Sequence, residues 1–205
     1  MQFYDITKNK SMEMQAYAKE LNTCLVSDFS FIERAKDYKK EILQARKKYN
    51  LIIALGRGNP KENREIVEAC PDVLLSPEKG SRKDYMRERG SGLDHITCKI
   101  ATQKKVAIGI DFSEILNTEN KDKILGRIMQ NIKLCRKYKT DMLLATFASS
   151  LLEMRAPKDL IAFAQAIGMT PSEAKKSLQI VEKIIRRNKE KRKPEYVSEG
   201  IRIVE

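Results

Sequence analysis

The sequence predicts an α/β fold, arranged either as a (β/α) barrel or as an open doubly wound sheet. Six short apolar runs recur along the 205 residues and alternate with stretches of helical periodicity. One of them, Leu51–Leu55, is apolar without alternation, as a parallel strand covered on both faces must be. No cysteine pattern or apolar run of membrane length points to another class. The barrel is preferred. Because the chain is shorter than the roughly 250 residues of a regular eight-stranded barrel, an irregular or incomplete one is expected.

In order, Phe3, Tyr4 and Ile6 fit a first strand, and Met12 to Leu21 a helix leading to a second strand at Cys24–Val26, with Asp28 just past its end. Ile32 to Tyr49 reads as one long charged helix before the strand Leu51–Leu55. Gly56 to Pro60 then turns the chain into a helix over Lys61 to Ala69, and Val73–Leu75 makes a fourth strand. A capping-box pattern of Ser91 and Asp94 starts the next helix at Ser91. Lys105–Asp111 is the fifth strand, Lys121 to Tyr138 a helix, and Met142–Ala145 the sixth strand. Pro157 suits a first helical position, and Thr170 with Glu173 caps a final helix carrying Ala174, Leu178, Val181 and Ile185. Residues 1–188 thus form one domain, followed by a basic tail, 189–205, in which Ile201 to Val204 could pair at an edge. The run from Arg186 to Lys193 has two readings, a fraying helix end or an arm that touches RNA.

A net charge of +12 and a pI near 9.5 point to a polyanionic partner. Cys24, Cys70, Cys98 and Cys135 are widely spaced and read as free thiols of a reducing cytoplasm. Charge is densest between Lys79 and Lys99, where Arg82, Lys83, Arg87, Arg89, His95 and Lys99 are punctuated by Gly80, Gly90 and Gly92. Such a loop suits an extended chain of phosphates, and His95 and Lys99, four apart, project from one helix face. Further basic candidates are Arg127, Arg136 and Lys137 around a helical Gly126, whose cost of about 1 kcal/mol against alanine suggests a close backbone contact. Arg155 and Lys158 flank Pro157, where positive charge opposes the helix dipole. Gly56 to Pro60 lacks the rest of a dinucleotide or nucleotide phosphate loop and is read as a turn.

Residues Arg82 to Tyr85, then Arg89 to Leu93 with His95 just after, resemble the signature of the ribonuclease P protein component 3 family, the archaeal counterpart of the thirty-kilodalton eukaryotic subunit. Ala107 to Ser113, Ile124 to Arg127, Asn131 to Tyr138, Met154 to Pro157, and Asp159 with Leu160 agree with it. The resemblance implies a TIM-type barrel related to polymerase and histidinol phosphatase barrels. It also implies a subunit of the ribonucleoprotein that removes 5′ leaders from precursor tRNA. In that assembly the catalytic RNA and its magnesium perform the hydrolysis, and the component 2 protein is a partner alongside other ribonuclease P proteins. The expected role here is binding RNA through the basic residues above, with no catalytic residue and no cofactor held by this chain. The alternative is a metal-dependent phosphoesterase of the same barrel superfamily. A single histidine argues against it, since the related barrels use many. A magnesium site from Asp28 and Asp111 is the arrangement the carboxylates leave open.

Overall fold

The computed structural model describes residues 2–9, 11–80, 83, 84, 86, 88–198, 201 and 202, the last for its backbone alone. The strands are β1 (Phe3–Ile6), β2 (Thr23–Val26), β3 (Phe29–Ile32), β4 (Leu51–Leu55), β5 (Val73–Leu75), β6 (Ala107–Asp111) and β7 (Met142–Ala145). Every pairing among them is parallel: β1 with β2, and β3-β4-β5-β6-β7 in sequence order. A parallel bridge between Thr7 and Ala148 joins the two sets, so all seven strands run the same way. Only Ser27 and Asp28 separate β2 from β3, which makes them two halves of one bent strand. The first half pairs with β1 and the second with β4, and the sheet becomes a small closed barrel of six staves. At the seam, the buried Asp5 carboxylate accepts from Thr146 N at 2.7 Å and Thr146 Oγ1 at 2.5 Å.

The second half of this bent strand corrects the expected helix from Ile32: that segment is strand to Ile32, and the helix is only α2 (Tyr38–Arg46), capped by Asp37. Around the barrel stand α1 (Met12–Glu20), α3 (Pro60–Glu68), α4 (His95–Lys104), α5 (Phe112–Asn117), α6 (Lys121–Tyr138), α7 (Pro157–Ala166) and α8 (Pro171–Ser177). The interior is filled by alternate strand residues, among them Ile6, Leu51, Ile53, Val73, Leu75 and Leu143. Ile180, Val181 and Ile184 of α9 (Ile180–Lys191) complete it, and Asn188 of the same helix reaches the buried Asp72 carboxylate before β5 at 2.9 Å. Helix α9 therefore plugs the end of the barrel where the strands begin. The single final helix expected from sequence is two helices, because Ala174 and Leu178 belong to a cluster outside the barrel while α9 turns into its interior. In the described part of the tail, β8 (Tyr196–Ser198) and β9 (Ile201–Arg202) pair antiparallel with each other, and Ile203 and Val204 of the expected edge strand lie outside the described residues. Among the described residues, no helix is long and apolar enough to cross a membrane.

Candidate nucleic-acid interface

The basic loop leaves β5 where the strands end and returns at α4. Asp94, not Ser91, is the N-cap of α4: its Oδ1 accepts from Thr97 N and Thr97 Oγ1, both at 2.7 Å, and Arg64 pairs with its other oxygen at 2.6 Å. Burial pushes the Asp94 carboxyl up, but these donors outweigh it and leave the group below its ordinary value. The cap lies three residues later than expected because Gly92, at φ +74°, holds the backbone after Ser91 out of the helical region, and Asp94 is the next residue able to cap. His95 becomes the first helical residue, exposed, and Lys99 follows one turn on.

What holds the loop is a cation that sequence reasoning placed on the surface. Arg127 is 1% exposed. Its Nε and Nη2 grip Asp84 at 2.9 Å each, and its Nη1 donates to the carbonyls of Glu78 and Gly80 at 3.1 and 3.0 Å. The expected RNA contact at Arg127 is therefore corrected: a guanidinium so enclosed serves as a strut beneath the loop. Burial raises the Asp84 carboxyl, and Gly90 N–H together with Arg127 reverses this and holds it below the usual range. One turn along α6, Asn131 donates to Glu78 Oε2 at 3.3 Å and Ser91 O at 3.1 Å, and Gln130 exchanges hydrogen bonds with the Arg89 backbone. From the other side Asn63 donates to Pro77 O and Gly92 O. Gly92, at φ +74°, leaves no space: a Cβ there would sit 1.8 Å from Pro77 O.

Glu78 lies inside this network, and burial pushes its carboxyl up to about 8, with the Asn131 amide opposing. Outside it, Lys83 and Arg89 are exposed. The Arg89 guanidinium lies against Gly126, where a Cβ would meet it at 2.5 Å, so the helical glycine does accommodate a close approach, that of a basic side chain. Arg82 and Arg87 lie outside the described residues. Arg136 is engaged by Glu173 through two bonds of 2.8 and 2.6 Å, which hold the Glu173 carboxyl down at about 2. Arg155 donates to the carbonyls of Leu152 and Met154 beside the Phe112 ring, while Lys158 and Lys137 are exposed.

The ends of β1 and β6 bring Asp5 and Asp111 to the mouth of the barrel, the usual place for chemistry in this architecture. A cavity of about 280 Å³ there is lined by Lys8, Lys79, Ser113, Glu114, Asn117 and Ser149. The carboxylates in and beside it face ammonium groups: Lys79 pairs with Glu114 at 3.1 Å in its wall, and Lys8 pairs with the buried Asp111 next to it at 2.9 Å. Asp28, at the bend of the long strand, accepts from Asn50. These donors do not fit a metal centre, and among the described residues no three metal-binding side chains gather.

Comparison with known proteins decides the family. The family described as RNase P subunit p30 matches residues 31–193. The chain belongs to it. A ribonuclease P protein component 3 from Methanococcus maripaludis strain C6 is 32% identical over 172 residues, 82% of this chain and 70% of that one. A chain in a cryo-EM structure of archaeal ribonuclease P with mature tRNA superposes with a TM-score of 0.74 at 28% identity, covering 99% of this chain and 87% of that one. An amidohydrolase shares the barrel alone, with a TM-score of 0.54, 14% identity, and coverage of 87% and 46%. The protein is thus a subunit of the archaeal ribonuclease P ribonucleoprotein, which processes tRNA.

Proposed function

We propose that this subunit binds the RNA of ribonuclease P through the loop between β5 and α4, that the RNA with its magnesium performs the cleavage, and that the chain itself carries no catalytic residue. The observation that carries the reading is the loop's construction. Buried Arg127, Asn131 and Asn63 pin its backbone, while Lys83, Arg89 and His95 stay on the outside. Cations carried between ends pinned in this way need less ordering to neutralise phosphates, and RNA helices forced together then need less magnesium to reach the active fold. The component 2 protein is the partner that joins it on the RNA.

The test is precursor-tRNA cleavage at limiting magnesium by the cognate RNA with component 2, with and without this chain, beside the chain alone. Cleavage should require the RNA and rise when the chain is added. Cleavage by the chain alone would overturn the reading in favour of a phosphoesterase.

A further inference from the structure

Helices α4 and α6 lie side by side and run the same way. Gln130 reaches Ser91 ahead of α4 at 3.0 Å, and Thr102 near its end donates to Tyr138 O at 3.1 Å. Their sequences are unusual in a chain with 28 acidic residues: there is no Asp or Glu from His95 to Ile110, nor from Lys123 to Thr140. Arg89, resting on Gly126, heads the pair, His95 and Lys99 follow one turn apart on α4, and Lys133 and Lys137 one turn apart on α6. Near the far end, the Lys99 and Lys137 ammonium groups lie 5.8 and 5.6 Å from the centre of one ring, that of Tyr138. Neither is ion-paired among the described residues, in contrast to Arg64, Arg127 and Arg136.

We propose that this face is a track for the phosphate backbone of duplex RNA, with Lys99 and Lys137, braced against Tyr138, as its anchor. The proposal deepens the RNA-binding reading above and rests on it. Duplex RNA is favoured over single strands because the strip is straight and cationic, while its aromatic ring is partly buried and faced by the two lysines, leaving no platform for unstacked bases. The ring fixes where the two charges stand, a cation–π contact that lowers the ordering each must undergo on binding.

The test measures binding of the cognate ribonuclease P RNA across a salt series, with precursor-tRNA cleavage alongside. The Lys99→Ala/Lys137→Ala double variant should bind roughly tenfold more weakly and lose about 1.8 from the slope of log K against log salt, as two missing duplex phosphate contacts require. Lys99→Arg/Lys137→Arg should keep the slope, and Tyr138→Phe, which retains the ring, should bind as the wild type does. An RNA duplex should displace the complex better than single-stranded poly-U. An unchanged slope in a folded double variant, with the wild type still stimulating cleavage, would overturn the track while leaving the subunit's role intact; poly-U competing better than duplex would overturn the duplex assignment. A wild-type chain that neither binds the RNA nor raises cleavage would overturn the reading beneath both.

Discussion

At Arg127 a positive charge sits in the protein's interior, tolerable only because its donors are used on Asp84 and two carbonyls. Arg127→Met should cost about 3 kcal/mol in urea unfolding, since it strips Asp84 of its enclosed partner, leaving the exposed Arg89 at 3.8 Å, and leaves the carbonyls unpaired. Arg127→Lys should recover only part, because an ammonium cannot reproduce the fork; full recovery would mean charge alone matters. Glu78 makes a pH-dependent contribution of opposite sense to that of Glu173, whose carboxyl the fold holds down. Its ordinary value is 4.5 and burial raises it to about 8, so across that window the folded state holds a proton the unfolded chain has released. Stability should therefore fall as pH rises from 4.5 to about 8 and level off beyond, while Glu78→Gln should remove that part of the slope. Identical slopes in chemical unfolding of the two proteins would refute the assignment. The residue type of Arg127 pointed to the surface; its position did not. It stands four residues before Asn131 and eight before Cys135, both buried on one row of α6, and that spacing was the available sign of burial.

Among the elements, α6 offers the sharpest test because its glycine has two consequences of opposite sign. Gly126→Ala should raise helix stability by up to about 1 kcal/mol. The new methyl group also displaces the Arg89 guanidinium, the movable end of a flexible side chain, so RNA affinity should fall while the melting temperature rises. If both improve, Arg89 has no role from that position. Most helix boundaries were legible because their chemistry is local: Asn59 before Pro60, Pro157 at a helix start, and Thr170 with Glu173 in a reciprocal cap. The strand Phe29–Ile32 was not, because a bend at Ser27 and Asp28 lets two halves of one strand serve different neighbours, which no local pattern announces. The break between α8 and α9 has no glycine or proline to mark it either; it exists because Leu178 and Val181 pack in different clusters.

For the molecule as a whole, strand and helix alternation was enough to read an α/β fold with a parallel sheet, while the choice of a barrel over an open sheet leaned on the family resemblance; closure was not readable, since Asp5 and Thr146 lie 141 residues apart and neither is distinctive alone. Thr146→Val should cost about 1–3 kcal/mol by leaving one Asp5 oxygen unpaired in the interior. Hydrogen exchange should then quicken at β1 ahead of β4 to β6; uniform quickening would mean the seam opens only with global unfolding. The same seam sets an order of events during synthesis. Strand β1 leaves the ribosome long before β7 exists, and closing so long a loop is the slowest kind of contact for a chain to make. Until then the β1–β2 ladder has a bare edge facing other nascent chains, a template for intermolecular pairing. The stave translated first is the one seated last, and a delay in finishing β7 should appear as aggregation that begins at the other end of the sequence.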